Sequence, residues 1–522
     1  MTSLDVVEDD PHTIGRWLVD RAARTPRRIA IDDRGVTIDY AALSSRSVEL
    51  ARGLRVAGYG RGDRIATVSG NSADHIVAFF ACALAGAAFV PLSWRLTAGE
   101  LGALMQRARP ALVLIEDDYD TLAREASRML PAQTPLATLG TTGVESLVPP
   151  ASGPRAGEDH PVRDDDPLMV IFTSGSEAAP KGVVLTHANC FWNNLSLSQA
   201  LPIHQDDVVL AMLPQFHIAA WNCQPLLAWW AGATVVLERS FQPARVLQLI
   251  HDRGVTAMMG VPTQYALLTA DRHWDAADLS TLRIALVGGA TTPAAVQRAW
   301  TERGIPLTQG YGLTEAAPNV LHLPAAESAA HPGTVGRPYP HVSVRLADPE
   351  TGLPLDGDAT GELWVRGPSV FAGYLDDVAA TDAARRGEWL RTGDLVERRD
   401  GVYRIVDRLK DIYISGGENV APAEVEHALS QHPLISDVAV VGAPDDVWGE
   451  RGVAFVVPKN GAALSVDEVI AHARRQLAGY KVPIHVEFVE TLPRSTIEKL
   501  ARSRLRARAA RLIEGMRDGV TH

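Results

Sequence analysis

Ten residues, Thr173 to Gly182 (TSGSEAAPKG), carry the strongest local chemical signal in this 522-residue chain. They follow the apolar run LMVIF and precede VVL. Small hydroxylated residues and a glycine directly after a strand can turn backbone N–H groups and hydroxyls toward phosphate oxygens, while Lys181 supplies a mobile point charge. On spacing alone, a polar turn with a surface lysine explains the segment about as well. It is not a Walker loop, because Lys181 stands between Pro180 and Gly182 instead of preceding Ser or Thr. Gly58-Tyr59-Gly60-Arg61-Gly62 follows a helical pattern and has the wrong glycine spacing for a dinucleotide site. Sixteen histidines include no HExxH pair, and no G-x-S-x-G elbow occurs, so metallohydrolase and serine-hydrolase chemistries lack support.

Composition narrows the setting. Hydrophobic residues make up 46% and charged residues 21%, values of an ordinary globular protein with room for several folding units. A net charge of −12 argues against a nucleic-acid partner. The start MTSLDVVEDD lacks the basic and apolar regions of a secretion signal. Ile76 to Trp94 is uncharged and approaches membrane-spanning length, but Gly86, Pro91 and the small residues around them read as a buried helix leading into a core strand. No transmembrane segment is therefore expected. Cys82, Cys190 and Cys223 are odd in number and widely spaced, which fits a reducing, cytoplasmic location better than a disulfide framework. Of 50 lysines and arginines only five are lysine: Lys181, Lys410, Lys459, Lys481 and Lys499. Composition bias explains the scarcity, and the lysines that remain give a lead to places where a compact ammonium is required.

The elements that must position these residues alternate helix and strand. Apolar spacing predicts helices over 40–57 and 73–85, with strands over 63–68, 168–172, 208–212, 233–237, 257–259 and 284–287. Thr138 to Asp166 is rich in Gly, Pro, Ser and Thr and reads as a surface connection. After Gly361 the pattern turns to antiparallel strands bounded by turns (361–368, 402–406). Beyond Lys410 a small α+β unit follows: helices 422–430 and 466–477, strands 438–441, 453–457 and 486–488. Arg502 to Arg511 reads as a solvated arginine-rich helix. The fold class is α/β: a large N-terminal domain (1–408) of layered α/β sheets plus a β-rich part, and a small mobile α+β C-terminal domain (409–522).

In order along the chain stand TSGSEAAPKG, LPQFH (213–217), VGGA (287–290), QGYGLTE (309–315), GELWVRGPSVFAGY (361–374) and TGD (392–394). DRLKDIYISGGENVAPAEVE (407–426), WGE (448–450), YKVP (480–483) and LPRSTIEK (492–499) complete the series. This series resembles the adenylate-forming superfamily, in its acyl-CoA synthetase and aryl-CoA ligase branch, over nearly the whole chain. The resemblance implies two half-reactions. A carboxylic acid and MgATP give an acyl-adenylate and pyrophosphate, and a thiol, usually that of CoA, then displaces AMP. A carboxylate is a poor electrophile; its mixed anhydride with AMP has a good leaving group.

The resemblance also implies roles. Thr173, Ser174, Gly175, Ser176 and Lys181 match the loop that holds the β- and γ-phosphates. Gly289 and Ala290 would face the adenine edge and Tyr311 would stack on adenine, within a nucleotide site that includes Gln309, Gly310 and Gly312. Thr314 would touch phosphate and Glu315 would ligate Mg²⁺, a hard ion suited to a carboxylate. Asp394 and Arg408 match the ribose contacts. Lys499 matches the catalytic lysine that bridges the substrate carboxylate and the α-phosphate. Lys410 matches the hinge about which the small domain swings, bringing Ser415, Gly416 and Gly417 to the pantetheine tunnel. Two stretches depart from the family pattern. Glu177-Ala178 stands where Thr-Gly is usual, placing a carboxylate beside the triphosphate, and Glu498 replaces the glycine before the catalytic lysine. Neither removes a reacting group.

The acid is read from the pocket positions. Amino-acid-activating relatives usually place an aspartate where this chain has His217, so an α-amino acid is disfavoured; in CoA synthetases this position gates the acyl pocket. By position the wall includes His217, Ala220, Trp221, Met259, Gly260, Val261 and Gly310, which implies an apolar acyl or aryl group. Trp221 either shortens this cavity or turns into the core. The expected activity is an ATP-dependent fatty- or aryl-acid:CoA ligase, acting as monomer or homodimer with ATP, Mg²⁺ and CoA. One alternative acceptor is the phosphopantetheine thiol of a separate acyl carrier protein, or another biosynthetic nucleophile. An alternative of another class is a non-catalytic nucleotide-binding regulatory module.

Overall fold

In the computed structural model the described residues are 10, 12–140, 161–173, 180–290, 292–415, 418–445, 448–494 and 500–520, the last six through the backbone. Packing divides the chain into two compact units. The second gathers Arg345–Trp364 with Arg391–His522, and the first holds Ala179–Val344, Val365–Leu390 and the preceding N-terminal chain.

The first unit is built on two sheets. One runs Arg337–Pro338, Asn319–Leu323, Thr308–Gly312, Ile284–Val287, Ala257–Gly260, Val208–Ala211, Thr234–Leu237, Ile29–Asp33, Val36–Asp39. Its six central strands are parallel, as helical crossovers demand. The other runs Gly373–Tyr374, Lys181–Thr186, Pro167–Thr173, Ala88–Leu92, Arg64–Val68, Leu112–Ile115, Leu136–Thr138.

The helix Ala73–Ala85 shows why the uncharged stretch does not cross a membrane. It is apolar on every face and all its residues except Asp74 are buried, as a helix at the centre of a large core must be. Ser72 caps its start by accepting from His75 N, and Gly86 ends it at φ 78°, a left-handed conformation that glycine adopts without penalty. The chain then enters the buried strand Ala88–Leu92. Phe79, Phe89 and Trp221 close their rings over this region at centroid separations of 4.5–5.5 Å. Among the described residues no helix is long and apolar enough to cross a membrane.

In the second unit, Val402–Arg408 pairs antiparallel with Trp389–Arg399, so that Asp394 faces Arg408. A further sheet runs Glu418–Val420, Tyr413–Ser415, Gly449–Pro458, Ile435–Asp445, with His485–Phe488 parallel to Gly449–Pro458. The helices Pro422–Ser430 and Val466–Gln476 belong to this unit, and Val425, Leu429, Val469 and Ala473 share its core.

The terminal helix departs from expectation. It extends over Arg502–Val520, and its first arginine is not solvated. Arg502 pairs with Glu426 at 2.7 Å and donates to Val440 O, while Arg506 pairs with Asp411 at 2.5 Å. Leu505 and Ala509 bury the intervening face against Val441 and Phe455. Charge counting along one helix does not detect carboxylates supplied by another segment.

Candidate functional site

The two ends of the segment Thr173–Gly182 belong to one hairpin. Pro167–Thr173 pairs antiparallel with Lys181–Thr186, Thr173 directly opposite Lys181, and Thr173 Oγ1 donates to Lys181 O at 3.4 Å. Both ends are therefore fixed by the ladder. Ser174, Gly175 and Ser176 lie outside the described residues, as do the departures Glu177 and Ala178.

The Lys181 ammonium sits 4.8 Å from the centroid of Tyr374, a cation–π contact. Tyr374 belongs to the short strand Gly373–Tyr374, paired to Val183 and Val184 beside the lysine. Its hydroxyl donates to Glu315 Oε1 at 2.9 Å. Burial first, then the Glu315 charge, push this phenol far above its ordinary pKa, so it remains a donor. Phe371 N donates to Glu315 O at 2.8 Å, so the backbone near Tyr374 also holds the glutamate's own segment.

Glu315 follows the strand Thr308–Gly312 in a single 3₁₀ turn, Thr314–Ala316. Gly312 is required where the chain bends back: a Cβ there would fall 1.7 Å from Pro318 O, an overlap no side chain survives. Gln309 is buried and ties the neighbouring turn to this strand. Its Oε1 accepts from Thr292 Oγ1 at 2.5 Å, and its amide nitrogen lies 3.4 Å from Val287 O and Ala290 O. Gly289 and Ala290 are exposed on that turn, with Gly289 at φ 85°. Tyr311 and Thr314 are half-buried along the same stretch. VGGA and QGYGLTE are thus brought together, with Gln309 as the tie.

A small, open apolar pocket lies in the same unit, lined by Leu210, Ala211, Met212, Leu213, Ala219, Ala220, Gln224, Pro225 and Met259. Of the expected wall residues, Ala220 and Met259 line it. Gly260 is not among the lining residues; a Cβ there would stand 2.9 Å from Gln264 Oε1, 3.1 Å from the Tyr265 ring and 3.2 Å from the Met212 methyl. Met259 reaches toward the turn at Gly288: a Cβ there would meet Gly310 O at 3.1 Å and the Met259 methyl at 3.7 Å. Trp221 takes the second of its two readings. It is fully buried in the main core, stacks on Phe79, and donates from Nε1 to Gln215 O at 2.7 Å. His217, half-buried, stands with its ring 4.5 Å from that of Phe216.

The second unit carries another group of expected residues. Arg408 Nε pairs with Asp394 Oδ1 at 3.0 Å; the carboxylate is nearly buried, the arginine side chain 48% exposed. The TGD turn is held from behind by Glu362, 2% exposed. That carboxylate accepts from Gly393 N (3.2 Å), Trp364 Nε1 (2.9 Å) and Arg391 Nε (3.0 Å). Next to Arg408, Asp407 is buried and accepts from Ala423 N at 2.8 Å; burial raises its carboxyl above the usual range. Lys410 lies between, its carbonyl accepting from Arg506 at 2.8 Å. Ser415 is fully buried opposite Glu418 and Gly449. Gly416, Gly417 and Lys499 lie outside the described residues.

Tyr374, Glu362 and Gln224 carry no role in the sequence reading. The first two stand inside GELWVRGPSVFAGY, so the signal was a motif whose inner residues had no assigned partner.

Among the described residues no cluster of three or more His, Cys, Asp or Glu side chains forms a metal cage. A single oriented carboxylate such as Glu315 suits Mg²⁺, which keeps several waters and takes its remaining oxygens from substrate phosphates.

The model of the AMP-binding enzyme matches residues 18–375, and that of the AMP-binding enzyme C-terminal domain matches 424–499. A feruloyl-CoA synthase of Amycolatopsis sp is 40% identical over 497 residues, 95% of this chain and 99% of the relative. An indoleacetate–CoA ligase of Aromatoleum aromaticum is 34% identical over 95% of this chain and 98% of its own length. The o-succinylbenzoate coenzyme A synthetase of Bacillus subtilis, solved in complex with ATP and magnesium ion, superposes with a TM-score of 0.83 at 29% identity, covering 94% of this chain and 98% of that one. Motif order, fold class and these full-length matches agree: the chain belongs to the AMP-binding, adenylate-forming enzymes, in their acyl- and aryl-CoA synthetase branch.

Proposed function

We propose that this ATP-dependent, AMP-forming acid:CoA ligase activates an aryl carboxylic acid in the cytoplasm, a reducing setting that suits its three buried thiols. The observation that carries the reading is the apolar pocket whose lining includes Ala220 and Met259. An apolar lining favours an apolar acyl or aryl group over a charged one. The 40% identical feruloyl-CoA synthase supports an aromatic acid.

In the first half-reaction a carboxylate oxygen attacks the α-phosphorus of ATP, the bond to the β-phosphate oxygen breaks, and pyrophosphate leaves. Thr173, Ser174, Gly175, Ser176 and Lys181 hold the leaving phosphates, with Thr314 as a further phosphate contact. Gly289, Ala290 and Tyr311 frame the adenine, and Asp394 with Arg408 receives the ribose hydroxyls. Lys499 offsets the charge of one anion approaching another. Glu315 is oriented by Tyr374 to hold Mg²⁺, which when bound neutralises phosphate charge. In the second half-reaction residues 409–522 swing about the boundary at 408–410. Ser415, Gly416 and Gly417 then line the path of the thiol, His217 gates its access, and sulfur attacks the carbonyl carbon as AMP leaves.

Pyrophosphate release and thioester formation across aryl, medium-chain and long-chain acids, with and without CoA, test the reading. Aryl acids should give the highest kcat/KM, and CoA should be consumed. Preference for a long-chain acid overturns the substrate class; thioester formed only on an added carrier protein overturns the acceptor.

A further inference from the structure

Among the described residues, Gln224 is the one polar side chain in the wall of this pocket. It is 2% exposed, and its place is fixed by the helix it caps, Pro225–Ala231, where Ala228 N donates to Gln224 O at 2.8 Å. The amide has one partner. Nε2 donates to Met258 O at 3.4 Å, whereas Oε1 is buried without any hydrogen bond. Exchanging the two amide atoms would set Oε1 against the Met258 carbonyl, two acceptors facing each other, so the orientation is determined by its neighbour. The remaining wall is Leu, Ala, Met and Pro, none of which has a side-chain donor to offer.

A buried acceptor with no donor is an unusual feature to retain, because it carries its desolvation cost unrelieved. We infer that Gln224 Oε1 is a specificity-determining acceptor, taking a hydrogen bond from a donor group on the substrate ring, a phenolic hydroxyl being the simplest. The inference rests on the aryl-acid reading above and deepens it. A hydroxylated ring satisfies the oxygen. An unsubstituted ring leaves it unpaired, and an O-methyl ether sets a second acceptor against it. Sites that hydrogen-bond a substrate hydroxyl reject the analogue lacking it more strongly than hydrophobic pockets reject a missing methylene.

The test is pyrophosphate release from matched acids: 4-hydroxycinnamate, cinnamate and 4-methoxycinnamate, and the corresponding 3- and 4-substituted benzoates, with wild type and Gln224→Met. In at least one series wild type should prefer the hydroxylated acid over both analogues by about tenfold or more in kcat/KM. Gln224→Met, similar in volume but without the acceptor, should bring that ratio to about one. A hydroxyl preference that survives in Gln224→Met overturns the inference, as does a wild-type ratio near one in every series, the result expected if water serves the oxygen. Should Gln224→Met not fold, wild type decides: methyl ethers used as well as phenols overturn the inference, and a tenfold preference for phenols supports it. Turnover of alkyl acids with no turnover of any aryl acid is a different failure, that of the aryl reading itself, and takes this inference with it.

Discussion

Tyr374 donates from its hydroxyl to Glu315 Oε1 at 2.9 Å while its ring lies 4.8 Å from the Lys181 ammonium. One side chain thereby joins the base of the phosphate loop to the proposed Mg²⁺ ligand, although Lys181, Glu315 and Tyr374 are far apart in sequence. The ring orders the cation and the hydroxyl orders the anion. Tyr374→Phe keeps the ring and removes the donor. We expect the Mg²⁺ concentration for half-maximal adenylation to rise about tenfold, the value of one charge-assisted hydrogen bond of about 1.4 kcal/mol. Tyr374→Leu removes both contacts and should lose more. Pyrophosphate release titrated against Mg²⁺ reads both; an unchanged Mg²⁺ requirement in Tyr374→Phe would show that the bond does not set the glutamate.

Glu362 holds the turn that presents Asp394, through Gly393 N, Trp364 and Arg391. Glu362→Gln preserves shape and removes charge, leaving Arg391 without its buried partner. KM for ATP should rise roughly fivefold with a smaller change in kcat, because charge-assisted bonds are the stronger ones. Steady-state kinetics at varied ATP decide it, and an equal fall in kcat with KM unmoved would remove Glu362 from ribose positioning.

Four of the five lysines fall within the motifs, at 181, 410, 481 and 499. Lys499→Ala should abolish adenylation with little loss of folding, and Lys499→Arg should also impair it, since a guanidinium differs in size, shape and hydration from an ammonium. Lys410→Pro should slow thioester formation while sparing pyrophosphate release. Normal adenylation by Lys499→Ala, or equal loss of both half-reactions in Lys410→Pro, would contradict the assigned roles.

His75 is buried in the core, with Nδ1 2.9 Å from Gln215 Oε1 and Nε2 2.8 Å from Thr67 Oγ1. The first partner, as placed, accepts, so Nδ1 carries a hydrogen, while the Thr67 hydroxyl can accept from Nε2 or donate to it. Burial lowers its pKa to about 4. The unfolded chain, with an ordinary histidine, therefore binds the extra proton as pH falls from about 6.5 to about 4, and stability declines across that window by up to about 3 kcal/mol from this group. His187, lowered by burial to about 3, acts in the same direction. Thermal midpoints measured from pH 7 to pH 4 should fall, and His75→Gln should flatten the decline; an identical slope in the variant would exclude His75 as a source.

Much of the fold is legible locally. Helices 40–57 and 73–85 occur at Tyr40–Ala57 and Ala73–Ala85, and helix 422–430 at Pro422–Ser430. Their limits are marked by Asp39 and Ser72 caps, by Gly58 and Gly86 in left-handed conformation, and by Pro422 in the first turn. Strand ends were less legible: 438–441 lengthens to Ile435–Asp445 and 453–457 to Gly449–Pro458, because pairing partners extend a strand past its apolar run.

The sequence by itself determined the family and with it the reaction class, since both reside in short motifs whose order along the chain does not depend on packing. Tertiary structure alone decided which way side chains face. Trp221 turns to Phe79 while Ala220 lines the cavity, Arg502 meets Glu426 across 76 residues, and Tyr374 meets Glu315 across 59. Periodicity assigns a residue to an element. Its partner depends on which faces of distant elements pack together, a choice made by the whole core and not by any local segment.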